Sequence, residues 1–144
     1  MILSMDKIRV GVIGTGHLGS IHARVYKEIP GCSLVAVCDT NSKALDLVSK
    51  ELQVQGYTDH RKLYGEVDAV SIATPTKMHF KVAADFLNNK IHALVEKPFT
   101  PTLQEADSLI KIAQDNRLIL QVGHIERFNS AFSATKRSLR TQNS

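Results

Sequence analysis

Gly14-Thr15-Gly16-His17-Leu18-Gly19 constrains this chain more than any other stretch. It joins an apolar run, Ile8 to Ile13, to a segment of helical period that opens between Gly16 and Leu18 and continues to Glu28. Glycine at these three positions lets the chain turn tightly, leaves its backbone open to a bound group, and allows the helix to pack closely on the strand. Pro30-Gly31 then ends the helix.

The same alternation continues along the chain and predicts βαβ units with a parallel sheet. A second strand is expected at Leu34 to Cys38, then a helix from Ser42, as N-cap, to Leu52, with Ala44, Leu45, Val48 and Leu52 inward. A short strand over Val54 to Tyr57 and one or two helical turns over Asp59 to Tyr64 follow. Ala69 to Ala73 reads as the fourth strand, stopped by Thr74-Pro75, and Lys77 to Asn89 as a helix presenting Met78, Val82 and Phe86 to the sheet. His92 to Val95 is the fifth strand. After Pro101-Thr102, Leu103, Ala106, Leu109, Ile110 and Ala113 recur at helical spacing, and Leu118 to Val122 is the sixth strand. The expected architecture is α/β: a doubly wound, three-layer Rossmann sheet over residues 1–123. Residues 124–144 are expected to begin the connection to a C-terminal substrate domain, itself expected to be absent or truncated here.

At 144 residues there is length for one buried core, and 43% hydrophobic with 22% charged residues is ordinary globular composition. The net charge of +4 lies in Arg127, Lys136, Arg137 and Arg140, a segment too short to define a nucleic-acid site, so no nucleic-acid partner is expected. No apolar run approaches the roughly 20 residues of a membrane span, and the N-terminus lacks signal-peptide character, so a cytoplasmic protein without membrane contact is expected. Cys32 and Cys38 have no metal-ligand spacing around them and read as reduced thiols; no metal site is expected.

Asp39 lies 20 residues beyond Gly19, at the carboxyl end of the second strand. A carboxylate there can accept hydrogen bonds from both hydroxyls of an adenosine ribose, while helix N–H groups behind the glycines hold the diphosphate. The expected cofactor is therefore NAD. NADP is disfavoured because its 2′-phosphate would meet Asp39, although Lys43 is near enough to leave dual use open. Glu96-Lys97-Pro98 places charge directly after a buried strand, at the edge where doubly wound folds bind ligands. Lys97 there can polarise a substrate hydroxyl as hydride leaves, and Pro98 can set a strained or cis turn. The competing reading is a solvated Glu-Lys pair.

Taken in order, these motifs resemble the Gfo/Idh/MocA family of nicotinamide-dependent sugar and cyclitol oxidoreductases. Gly14 to Ala23, with His22 three residues past the last glycine, is similar to the family's opening fingerprint. Thr74-Pro75-Thr76-Lys77-Met78-His79 is similar to its TPxxxH segment, and Glu96-Lys97-Pro98 to its EKP signature. Gly123 to Asn129 resembles the stretch leading out of the nucleotide domain, in particular that of members acting on nucleotide-linked amino sugars.

The resemblance implies that Gly14, Thr15, Gly16, His17, Leu18, Gly19 and Asp39 bind the cofactor and that Thr74, Pro75 and His79 line its cleft. It also implies that Glu96 and Lys97 lie beside the nicotinamide ribose, with Lys97 touching substrate as the catalytic residue. His22 and His79 each also have a reading as structural histidines, and His17 contributes mainly backbone. His124 and Arg127 can reach substrate or anchor a hinge. The expected activity is hydride transfer between the nicotinamide and a hydroxyl-bearing carbon of a sugar or sugar nucleotide. This chain alone is expected to be inactive, since one domain gives the substrate no second wall; homo-oligomers are possible. A stand-alone NAD(H)-binding or regulatory module is the rival reading, and a Rossmann-like methyltransferase leaves Glu96-Lys97-Pro98 without a role.

Overall fold

A computed structural model of the chain describes residues 7–124. Its strands are β1 (Ile8–Ile13), β2 (Cys32–Cys38), β3 (Gln55–Tyr57), β4 (Ala69–Ile72), β5 (His92–Val95) and β6 (Leu120–Val122). They form one sheet in the order β3-β2-β1-β4-β5-β6, and every pairing is parallel. Helices α1 (His17–Glu28), α2 (Ser42–Leu52), α3 (Thr76–Asn88) and α4 (Leu103–Asp115) cover the sheet, with a 3-10 turn at His60–Leu63. This is the doubly wound Rossmann order, in which the strand sequence reverses between β1 and β4 and opens a crevice at the carboxyl edge.

Helices on both faces explain why the central strands are continuous apolar runs rather than alternating ones. Val12, Leu34 and Val37 pack with Ala23 of α1 and with Leu45 and Val48 of α2. Val70, Ile72, Ala93 and Val95 pack with Val82 and Phe86 of α3 and with Leu109 and Ala113 of α4. No described helix is long and apolar enough to cross a membrane.

Several expected boundaries shift for identifiable reasons. Asn41, not Ser42, caps α2: its side-chain oxygen accepts the N–H groups of Lys43 at 3.0 Å and Ala44 at 3.2 Å. β2 begins at Cys32 because Cys32 and Ser33 still pair with Ile8 and Arg9. β6 starts at Leu120, since the Leu118 N–H is spent on Ala113 O, 2.8 Å away, closing the end of α4. Met78, Leu103 and Ile110 are exposed rather than core residues, because α3 and α4 bury only the stripes carrying Val82, Phe86, Leu109 and Ala113.

Three surface carboxylates carry acid-sensitive contacts. A hydrogen bond from the Arg61 guanidinium lowers the Asp59 carboxyl to about 2. Arg9 lowers Asp68 and Arg24 lowers Glu51 in the same way. Groups depressed in the folded state add stability above their unfolded pKa and lose it as the pH falls through the folded one. The melting temperature should therefore drop as the pH falls from about 4 towards 2, through the range over which Asp59 titrates. Because the pairs are exposed, their effect should be small and should shrink in high salt; a calorimetric series at two salt concentrations checks both points.

Candidate functional site

The residue just past each of five strands continues the sheet's hydrogen bonding into its loop. The N–H groups of Asp39, Gly14, Ala73, Glu96 and Gly123 donate to Tyr57 O, Cys38 O, Ile13 O, Ile72 O and Val95 O at 3.1, 2.7, 2.8, 2.9 and 2.8 Å. The backbone of the carboxyl edge is thus as fixed as the strands beneath it. The buried polar residues among those described, Thr15, Ser71, His79 and Glu96, all lie in or beside this edge. Buried polar groups are costly unless paired, so their partners reveal what the edge is built to hold in place.

A cleft of about 640 Å³ opens over β1, β2 and β4, lined by Gly14, Gly16, Asp39, Asn41, Thr74 and Pro75 among others. Gly14 has φ +91°, and a Cβ there would stand 2.6 Å from Ala73 O. A Cβ on Gly19 would fall 1.7 Å from Gly14 O, so α1 lies against the turn that feeds it. Gly16 differs, because a Cβ there meets nothing within 4 Å. Its freedom serves the cleft rather than the protein's own packing. α1 and α3 start without side-chain caps, whereas Asn41 caps α2 and Thr102 forms a capping box with Glu105 on α4. The N–H groups opening α1 are therefore unspent by side chains and available to an anion.

Asp39 sits at the β2 tip, facing the cleft, and is held from behind. Its Oδ2 accepts the Thr15 N–H at 2.7 Å and the Thr15 hydroxyl at 3.1 Å; its Oδ1 accepts the Asn41 N–H at 2.8 Å. An ionised carboxylate offers about four acceptor positions, of which these bonds take three; one stays open on Oδ1, and rotation of the Thr15 hydroxyl releases a second on Oδ2. Thr15 is buried and serves Asp39 directly. Cys38 beside it has its thiol pushed up to about 12 by burial, with Asp39 and Asp59 adding to the shift, so it is no nucleophile at neutral pH.

Thr74 Oγ1 is buried and has no hydrogen-bond partner, and Thr74 lines the cleft. Such a group is costly until it finds a partner. His79 does not line this cleft: it is 1% exposed, with Nε2 2.8 Å from Thr74 O and Nδ1 2.9 Å from Pro98 O. Its part in the site is to tie the Thr74 loop to the turn after β5. His17 and Leu18 are exposed at the first turn of α1, Lys97 is exposed at the β5 tip, and the Lys97-Pro98 peptide is cis, as the sequence suggested. Glu96 faces away from the cleft lining, towards His22 of α1. His124 is exposed at the end of the described residues, and the expectations for Arg127 and the rest of 125–144 lie outside them.

Sequence reasoning missed Asn41, Thr58, His60 and Lys77 as lining residues. Only Asn41 carried a readable signal, as a second capping candidate beside Ser42. It also missed Ser71, whose signal was a lone hydroxyl inside an apolar strand. Among the described residues no cluster of three or more His, Cys, Asp or Glu is arranged to hold a metal.

An open mouth at Gly16, uncapped N–H groups, a carboxylate one strand away and an orphaned hydroxyl on the other side together fit a dinucleotide, with its diphosphate at the N–H groups and a ribose at the carboxylate. Comparison with known proteins agrees. A family model described as an oxidoreductase family with an NAD-binding Rossmann fold matches residues 8–124. UDP-N-acetylglucosamine 3-dehydrogenase of Acidithiobacillus ferrooxidans is 45% identical over 127 residues, covering 88% of this chain and 40% of that protein. Its solved structure superposes with a TM-score of 0.86 at 42% identity, over 93% of this chain and 44% of that one. The NAD(+)-dependent scyllo-inositol 2-dehydrogenase of Bacillus subtilis is 31% identical over 92% of this chain and 40% of its own length. Scyllo-inositol dehydrogenase of Lactobacillus casei, solved with NAD(H) and scyllo-inositol, matches with a TM-score of 0.88 at 26% identity, over 96% of this chain and 42% of that one. The chain thus spans about 40% of the length of the curated relatives it matches.

Proposed function

Because the chain belongs to the Gfo/Idh/MocA oxidoreductase family, whose NAD-binding Rossmann fold spans residues 8–124, we propose that it is the cofactor-binding part of an NAD-dependent sugar dehydrogenase. The observation that carries this reading is the order of groups along the carboxyl edge. On consecutive strands β2, β1, β4 and β5 stand Asp39, the glycine loop, Thr74-Pro75 and Glu96-Lys97. Those tips span three strand spacings, roughly 14 Å, enough for an extended dinucleotide to cross them in sequence.

In this reading Asp39 accepts the adenosine ribose hydroxyls and rejects a 2′-phosphate. The first N–H groups of α1 hold the diphosphate, and Thr74 Oγ1 finds its partner on the bound cofactor. The nicotinamide, when bound, accepts or returns hydride at the carbon bearing the substrate hydroxyl. Lys97 would touch that hydroxyl, where its positive charge favours loss of the proton to a general base contributed from outside residues 7–124. The substrate is a sugar, and the 45% identity to a UDP-N-acetylglucosamine 3-dehydrogenase supports a nucleotide-linked amino sugar.

Titrating the chain with NADH and NADPH, followed by nicotinamide fluorescence, tests the cofactor assignment. NADH should bind, and NADPH about tenfold more weakly or worse, a difference of about 1.4 kcal/mol. Failure to bind either removes the cofactor site. NADH formation by the full-length protein with UDP-N-acetylglucosamine, and none with a free inositol, is the expected substrate result; the reverse moves the substrate to the cyclitols.

A further inference from the structure

Glu96 follows a buried strand and is itself only 4% exposed, yet the cleft does not use it. Its Oε1 lies 3.1 Å from His22 Nε2, and its Oε2 accepts the backbone N–H of Lys97 at 3.1 Å. Gly123 closes a third side, since a Cβ there would stand 2.6 Å from Oε1 and 2.9 Å from the carboxyl carbon. The carboxylate thus touches α1, the turn after β5 and the chain leaving β6, and little of it remains for a ligand.

His22 is anchored in turn. Its Nδ1 lies 2.7 Å from Ser71 Oγ, one residue before the carboxyl end of β4. Tyr26 lies one turn along α1, and burial raises its phenol. Ser71, His22 and Glu96 have the composition of a nucleophilic triad, but Ser71 is completely buried within the sheet, where no acyl substrate can reach it. Their chemistry is to hold a position. A carboxylate at this depth stays only if its oxygens are paired, so both of its bonds constrain the backbone at the point where the Lys97 side chain departs.

From this geometry we infer that Glu96, braced by His22 and Ser71, is a positioning residue that sets where Lys97 stands and acts on the cofactor only through it. The inference rests on the reading of Lys97 as the group at the nicotinamide end. It reassigns Glu96 from cofactor contact to support. The Lys97 side chain is long and exposed, with no side-chain partner among the described residues, so the backbone is its one fixed reference. A fault in the Glu96 bond is then felt at the ammonium as misplacement, which weakens whatever that charge contacts.

The test compares NADH with ADP-ribose, which lacks the nicotinamide, by titration of the chain and its variants. Lys97→Ala should weaken NADH about tenfold and leave ADP-ribose unchanged. Glu96→Ala should do the same, and the double variant should bind NADH no worse than Lys97→Ala, within a factor of about two. His22→Ala should copy Glu96→Ala. His22→Gln, which keeps an N–H donor to offer Oε1, should restore most of the affinity. If Glu96→Ala fails to fold, Glu96→Gln takes its place, with retained ADP-ribose binding as evidence of an intact domain. Equal weakening of both ligands, additive loss in the double variant, or no effect of Glu96 substitution overturns the inference. If the unaltered chain binds neither ligand, it is the cofactor reading that falls.

Discussion

Asp39→Ala should weaken NADH binding about a hundredfold and NADPH binding by clearly less, so that the preference between the two cofactors collapses. The first effect has two sources. Removing the carboxylate removes the acceptors offered to the ribose, each charge-assisted hydrogen bond contributing about 1.5–3 kcal/mol. It also releases the Thr15 N–H and hydroxyl and the Asn41 N–H, which now converge on Asp39. The glycine loop is held to the β2 tip through Thr15, so the diphosphate end suffers as well as the ribose end. NADPH shares that second loss but is relieved of the repulsion between its 2′-phosphate and the carboxylate. Fluorescence titration of both cofactors against both proteins, alongside thermal melts, separates the effects. Equal losses for NADH and NADPH would show that Asp39 acts only on the loop.

The double role of Asp39 shows where reading the sequence stops. Spacing placed its carboxylate at the β2 tip because parallel strands linked by short loops put their ends in one row. Spacing carried no information about Thr15, whose contact joins residues 24 apart in sequence. The fold was legible for the same reason the row was: apolar runs and helical periods are local, and each of the expected strands and helices has a counterpart within a few residues. What shifted was decided by competition among neighbours. Asn41 and Ser42 both had a capping oxygen, and only the folded backbone selected Asn41. Met78 and Leu103 matched the helical period yet sit in first turns, where the sheet no longer covers them.

The histidines mark the other limit. His22 and His79 could be flagged from motif position, but whether each met a ligand or the protein depended on contacts with Ser71 and Glu96 in one case and with Thr74 and Pro98 in the other. Glu96 was recognised as charge in an unusual place. That its carboxylate turns towards α1 follows from the close passage of Gly123, a residue 27 positions away.

Gly16→Ala and Gly19→Ala, two alanine substitutions in one loop, should fail in different ways. The Cβ of Gly19→Ala would lie 1.7 Å from Gly14 O, a backbone atom that cannot swing aside like a side chain. Gly14 cannot yield either, since its own φ of +91° already places its missing Cβ against Ala73 O. α1 must therefore lift away from β1, opening the packing around Ala23 and Val12. Overpacking a well-filled site costs about 1–3 kcal/mol, and a clash with backbone belongs at or above the upper end. A loss of about 3 kcal/mol lowers the melting temperature of a chain this size by roughly 10 °C. Cofactor binding should go with it, because the same movement tilts the N–H groups at the head of α1. The Cβ of Gly16→Ala meets no protein atom within 4 Å, so its melting temperature should stay within about 2 °C of the unaltered chain. Yet that Cβ enters the open mouth where the diphosphate is assigned, and NADH affinity should fall at least tenfold, or about 1.4 kcal/mol. A Gly16→Ala variant that keeps both its melting temperature and its NADH affinity would mean that the diphosphate does not lie against this loop. A Gly19→Ala variant as stable as the parent would mean that the close contact of α1 with the turn is relieved at little cost.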